Sequence, residues 1–75
     1  MDKGGTMRNR LKYYRHLLQF DEQKDFAEFL GFSAWSVNRW EGQKTQPDAE
    51  SLYKIFLRLR ERIPDVHMED LISPD

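Results

Sequence analysis

The stretch Gln23–Glu41, QKDFAEFLGFSAWSVNRWE, limits what this chain can become more than any other. It reads as two short helices broken by one glycine. Phe26, Ala27 and Leu30 fall at i, i+1 and i+4, one face of a helix. Gly31 follows at once, and glycine enters the left-handed conformation of a sharp helix exit without a Cβ penalty. Ser33 is placed to cap a second helix with its hydroxyl. In that helix Val37 and Trp40 share an inward edge by their i, i+3 spacing. Trp35, Asn38 and Arg39 fall on the opposite side at about 100° per residue.

The remaining periodicity supplies partners for this pair. Leu11, Tyr14 and Leu18 form an inward stripe on a first helix expected over roughly Met7 to Leu18, with Thr6 as its N-cap. Gln19–Glu22 reads as a turn, with Phe20 tucked beneath it and Asp21 capping the next helix. Asp48 is placed to cap a fourth helix. There Leu52, Ile55, Phe56, Leu59 and Ile63 make one continuous stripe and Glu50 suits the first turn. Tyr53 and Leu57 lie off that stripe, as single exposed apolar residues or as a dimer seam. Pro64 ends the helix at or before Ile63. A short last helix, about His67 to Ile72, is expected to lay Met68, Leu71 and Ile72 over the core. The expectation is an all-α fold of five helices, with residues 1–6 a disordered leader, residues 7–72 the domain and residues 73–75 a tail.

A small helix followed by a tight turn and a second helix, polar and aromatic on its outer side, is the layout of a helix-turn-helix. The register of the matching residues is similar to that of the Cro/phage-repressor (Xre-type) helix-turn-helix family, from about Leu11 to Leu71. Gln23 opens the first motif helix, Ala27 lets the two helices approach, Gly31 is the turn, Val37 and Trp40 are the inward pair, Glu41 closes the second helix and Pro47 ends the loop after it. Leu11 and Arg15 match the family's helix 1, and Leu52, Ile55 and Leu59 its helix 4. The chain departs where the family has a glycine two residues past the Glu: Gly42 comes one residue early and Gln43 fills that slot. Phe26 and Phe56 stand where Leu and Ala are usual. One extra residue separates Arg15 from the motif, and helix 4 runs longer.

The resemblance implies a five-helix, lambda-repressor-like DNA-binding domain with its motif at helices 2 and 3. Its expected function is sequence-specific binding of double-stranded DNA as a small transcriptional regulator of prophage, mobile-element or antitoxin type, a repressor in a bacterial or phage setting. Ser33–Glu41 would enter the major groove, which admits one α-helix. Ala34, Trp35, Asn38 and Arg39 are the expected base contacts: Arg39 on guanine O6 and N7, Asn38 on adenine N6 and N7, Ala34 on a thymine methyl, and Trp35 on a thymine methyl or the sugar edge, with packing on a neighbouring helix or a partner chain as the other role open to Trp35. Gln23, Ser33, Ser36, Gln43, Lys44 and Thr45 are the expected phosphate contacts. Gln23 also suits that role physically, at the positive end of a helix. The resemblance further implies that Arg15 and Glu41 form a structural pair. The oligomeric state is left open by the sequence; a homodimer is one possibility, since one small module covers little DNA.

Charge and composition test this reading. The 75 residues carry a net charge of −1, which does not by itself favour DNA. The distribution is more favourable: Arg8, Arg10, Lys12 and Arg15 lie together near the start, Arg39 and Lys44 in and after the motif, and Asp65, Glu69, Asp70 and Asp75 at the far end. The rival reading is a protein–protein interaction module on the same fold without DNA binding, which the acidic balance and an outward Trp35 would suit. An enzyme is disfavoured, because there is no Gly-rich phosphate loop and no nucleophile–His–acid set. His16 and His67 without any Cys make no zinc site, so no cofactor or metal is expected. With no Cys, no membrane-length apolar run and no signal peptide at Met1–Thr6, a cytoplasmic protein is the expectation.

Overall fold

In the computed structural model of the chain, which describes residues 7–74, four α-helices and a two-stranded ribbon surround one core. The order is β1 (Met7–Asn9), α1 (Leu11–Leu17), α2 (Gln23–Leu30), α3 (Ala34–Glu41), α4 (Ala49–Arg62), a 3₁₀ turn (Met68–Leu71) and β2 (Ile72–Pro74). The disordered leader and the Thr6 cap lie outside the described residues, as does Asp75.

The fold is predominantly helical, but the count of five helices is corrected to four. The expected helix His67–Ile72 is one 3₁₀ turn that runs into β2. Its stripe is real, since Leu71 is fully buried and Met68 and Ile72 half-buried. Four residues between a His67 cap and an extended Ile72 nevertheless leave no room for α-helical hydrogen bonding. The first helix is also shorter than expected. Met7–Asn9 pairs antiparallel with Ile72–Pro74, placing Asn9 opposite Ile72 and Arg8 opposite Ser73. Arg8 and Arg10 therefore precede the helix instead of lying on it.

Local chemistry explains the helix ends. The Ser33 hydroxyl accepts the Ser36 N–H at 3.1 Å, and the Asp48 carboxylate accepts the Ser51 N–H at 2.7 Å. These hydrogen bonds from Ser51 hold the Asp48 carboxyl below its ordinary titration range. The α2 cap is Glu22, not Asp21, and its side chain makes no cap bond. At the other end α4 stops at Arg62, just before Ile63-Pro64.

Three helices leave through the same left-handed turn. In each, the N–H of the residue after the left-handed one reaches back five residues: Phe20 to Arg15 O at 3.0 Å, Phe32 to Ala27 O at 3.0 Å and Lys44 to Arg39 O at 3.0 Å. The left-handed residues are Gln19 (φ 65°), Gly31 (φ 88°) and Gln43 (φ 60°). A side chain in this conformation costs about 1 kcal/mol. Gln19 is exposed, so Gln19→Gly should stabilise the fold by up to about 1 kcal/mol. Gln43→Gly should instead destabilise by about 2 kcal/mol, because the Gln43 amide makes several hydrogen bonds worth about 1 kcal/mol each. Urea unfolding of both variants checks the opposite signs.

The core joins all four helices. Leu11 and Tyr14 of α1, Phe26, Ala27 and Leu30 of α2, Val37 and Trp40 of α3, and Ile55 and Leu59 of α4 are buried, closed by Val66 and Leu71. Phe20 packs its ring 5.5 Å from Phe26 and 5.4 Å from Phe29, and Phe32 meets Trp40 edge-on at 5.0 Å. This packing fixes the rotation of α3. With Val37 and Trp40 inside, Ala34, Trp35 and Asn38 face solvent.

Candidate nucleic-acid interface

A chain of polar contacts runs from the core to the open face of α3. Arg15 Nε donates to both Glu41 oxygens, at 2.9 and 3.2 Å, and its Nη1 donates to the carbonyls of Phe20 and Asp21, both at 3.2 Å. One guanidinium thus fastens the end of α3 to α1 and to the turn before α2. The Glu41 side chain is only 3% exposed and that of Arg15 12%, so the pair is largely shielded from water. Glu41 Oε1 also accepts from Gln23 Nε2 at 3.0 Å, and Gln23 Oε1 accepts from Asn38 Nδ2 at 3.0 Å. The buried carboxylate thereby orients the Gln23 amide, which orients the Asn38 amide at the surface. Among the described residues nothing bonds the side-chain oxygen of Asn38 or the second hydrogen of its amide.

One turn away, the Arg39 guanidinium stands over the Trp35 indole at 5.1 Å from the ring centre. Trp35 is 70% exposed, the largest exposure among the big apolar side chains of the described residues. Ala34 adds a small exposed surface beside the Ser33 cap. Ser33 and Ser36 hydroxyls bond each other at 3.1 Å at the helix start. Of the expected base-contacting set, the structure brings all four, Ala34, Trp35, Asn38 and Arg39, to the side of α3 away from the core. Gln23 adjoins this face through Asn38.

The loop after α3 divides differently from the sequence expectation. Lys44 and Thr45 are exposed at its tip. The Gln43 amide is turned away from open solvent and clasps the β1 backbone: its Nε2 donates to Asn9 O at 3.0 Å and its Oε1 accepts the Asn9 N–H at 3.1 Å. Where the resemblance leads one to expect a glycine, the backbone is indeed left-handed, and glutamine holds it by bonding Asn9.

Asn9 is the residue that sequence reasoning missed. It is 5% exposed, the most buried amide side chain among the described residues. Its Nδ2 donates to Trp40 O at 2.7 Å and to Gln46 Oε1 at 2.9 Å, while its Oδ1 accepts the Leu11 N–H at 3.1 Å and so opens α1. Gln46 Nε2 returns to Gln43 Oε1 at 2.9 Å. The ribbon, the end of α3 and the following loop are therefore one hydrogen-bonded unit.

Two shallow open depressions occur, one of about 470 Å³ lined by His16, Gln19, Phe20 and Asp21, the other of about 420 Å³ between Leu30–Phe32 and α4. Tyr53 and Leu57 are exposed at 53% and 38%, off the inward stripe of α4. Among the described residues no three His, Cys, Asp or Glu side chains converge as a metal site, and no helix is long and apolar enough to cross a membrane. No protein-family model matches the sequence, and no curated protein or solved structure matches it significantly.

Proposed function

We propose that this chain is a helix-turn-helix protein of the Xre type that binds double-stranded DNA sequence-specifically, as a small transcriptional regulator, with Ser33–Glu41 in the major groove. The observation that carries the reading is the sidedness of α3. Val37 and Trp40 are locked inside while Asn38 and Arg39 present unfilled hydrogen-bonding groups outside. Arg39 matches guanine O6 and N7, and Asn38 matches adenine N6 and N7. Lys44 and Thr45 flank that face as phosphate contacts, joined by Gln23, Ser33 and Ser36 at the helix starts. A dimer on a near-palindrome, with half-site centres about 10 base pairs apart, completes the reading.

The test is the affinity of variants for a preferred and a scrambled duplex across a salt series. Asn38→Ala and Arg39→Ala should each cost roughly 1–3 kcal/mol on the preferred duplex and relax the preference there. Lys44→Ala should weaken both duplexes alike and shallow the salt slope by about one unit. If Asn38→Ala and Arg39→Ala bind both duplexes as the parent does, α3 does not read bases. The alternative is a protein-interaction module, which the 70% exposure of Trp35 favours.

A further inference from the structure

Trp35 and Arg39 form one recognition unit, not two independent contacts. They lie at i and i+4 on α3, and the guanidinium carbon is 5.1 Å from the indole centre. No hydrogen bond or ion pair within the described residues occupies the guanidinium N–H groups of Arg39, so its whole fork is available to an acceptor. The ring restrains the arginine without satisfying its donors.

This geometry constrains what can lie beside the arginine's target. A guanidinium that forks onto guanine O6 and N7 lies near the plane of that base. Base pairs succeed one another at about 3.4 Å. An indole centred 5.1 Å from the guanidinium carbon spans more than one base step, so a base stacked on the guanine lies within its reach. The groove edge of a pyrimidine at that level is its C5 position, which carries a methyl in thymine and a hydrogen in cytosine. A methyl there fills the space against the indole and leaves water. A purine there has no methyl group, and offers instead an N7 acceptor that only the single indole N–H could meet.

We infer that the Trp35–Arg39 pair recognises a guanine together with a neighbouring 5-methylpyrimidine on the same strand, thymine or 5-methylcytosine alike, so that the protein distinguishes methylated from unmethylated cytosine at that step. This rests on α3 facing the major groove.

The experiment uses the duplex enriched by the full chain from a random pool. The guanine read by Arg39 is the one whose preference relaxes in Arg39→Ala. The pyrimidine beside it is made thymine, deoxyuracil, cytosine or 5-methylcytosine in turn, and dissociation constants are measured by fluorescence polarisation. Deoxyuracil keeps every hydrogen-bonding group of thymine and lacks only the methyl. The parent should bind thymine over deoxyuracil, and 5-methylcytosine over cytosine, by about fourfold, the worth of one buried methyl group. Trp35→Ala should bring both ratios to one, with an unchanged circular dichroism spectrum because the side chain is exposed. Equal binding by the parent within each pair, or a purine on both sides of the guanine in the enriched site, overturns the inference while leaving the groove reading intact. If Arg39→Ala relaxes no guanine, the inference is overturned, and if Asn38→Ala also leaves the preference unchanged, the groove reading falls with it.

Discussion

Replacing Arg15 or Glu41 by alanine is expected to lower the free energy of unfolding by about 3 kcal/mol. The two side chains are 12% and 3% exposed and share two hydrogen bonds, so either truncation leaves the other charge buried. Arg15→Ala additionally strips a donor from the carbonyls of Phe20 and Asp21, loosening the turn into α2. Glu41→Ala removes the acceptor that orients Gln23 and, through it, Asn38. A double replacement with apolar residues, Arg15→Met with Glu41→Leu, should cost less than either single alanine, because no charge is then left without a partner. Urea unfolding reads these differences. An unchanged midpoint in either single variant would refute the structural role of the pair.

Asn9→Ala should cost about 2 kcal/mol. Its amide serves Trp40 O, Gln46 Oε1 and the Leu11 N–H, all from a position 5% exposed. Truncation strands the buried Leu11 N–H and removes one of the two donors of the Trp40 carbonyl, which keeps the Gln43 N–H at 3.0 Å. One buried orphan costs about 1–3 kcal/mol, so a loss of about 2 kcal/mol follows, with amide exchange accelerated first in β1 and at the start of α1. Asn9→Asp should do no better, because its second oxygen would face the Trp40 and Gln46 oxygens. A loss below about 1 kcal/mol for Asn9→Ala would show that water takes over these bonds.

What could be read from the sequence and what could not separate along one physical line. Ser33, Asp48, Gly31 and Pro64 act on residues a few positions away, so the bounds of α3, the start and end of α4 and the turn between α2 and α3 were legible. So was the inward edge of α3, because Val37 and Trp40 obey a simple period. The ribbon was not. Met7–Asn9 is too short to show a strand period, and Leu11, Tyr14 and Leu18 drew the helix back over it. The last helix was overread for a related reason: Met68, Leu71 and Ile72 have helical spacing, but the chain turns extended at Ile72 to meet β1. The role of Asn9 was hidden because its partners Trp40, Gln43 and Gln46 lie 31 to 37 residues away. Gln43 was expected to face a phosphate, and nothing local revealed that its amide bonds Asn9, 34 residues away.

The central claim, that the open face of α3 reads DNA sequence, is tested most directly by selecting bound duplexes from a random pool with the parent protein. The account predicts enrichment of a near-palindromic site with guanine and adenine at positions whose preference disappears in Arg39→Ala and Asn38→Ala respectively. Recovery of no enriched sequence at low salt would contradict it.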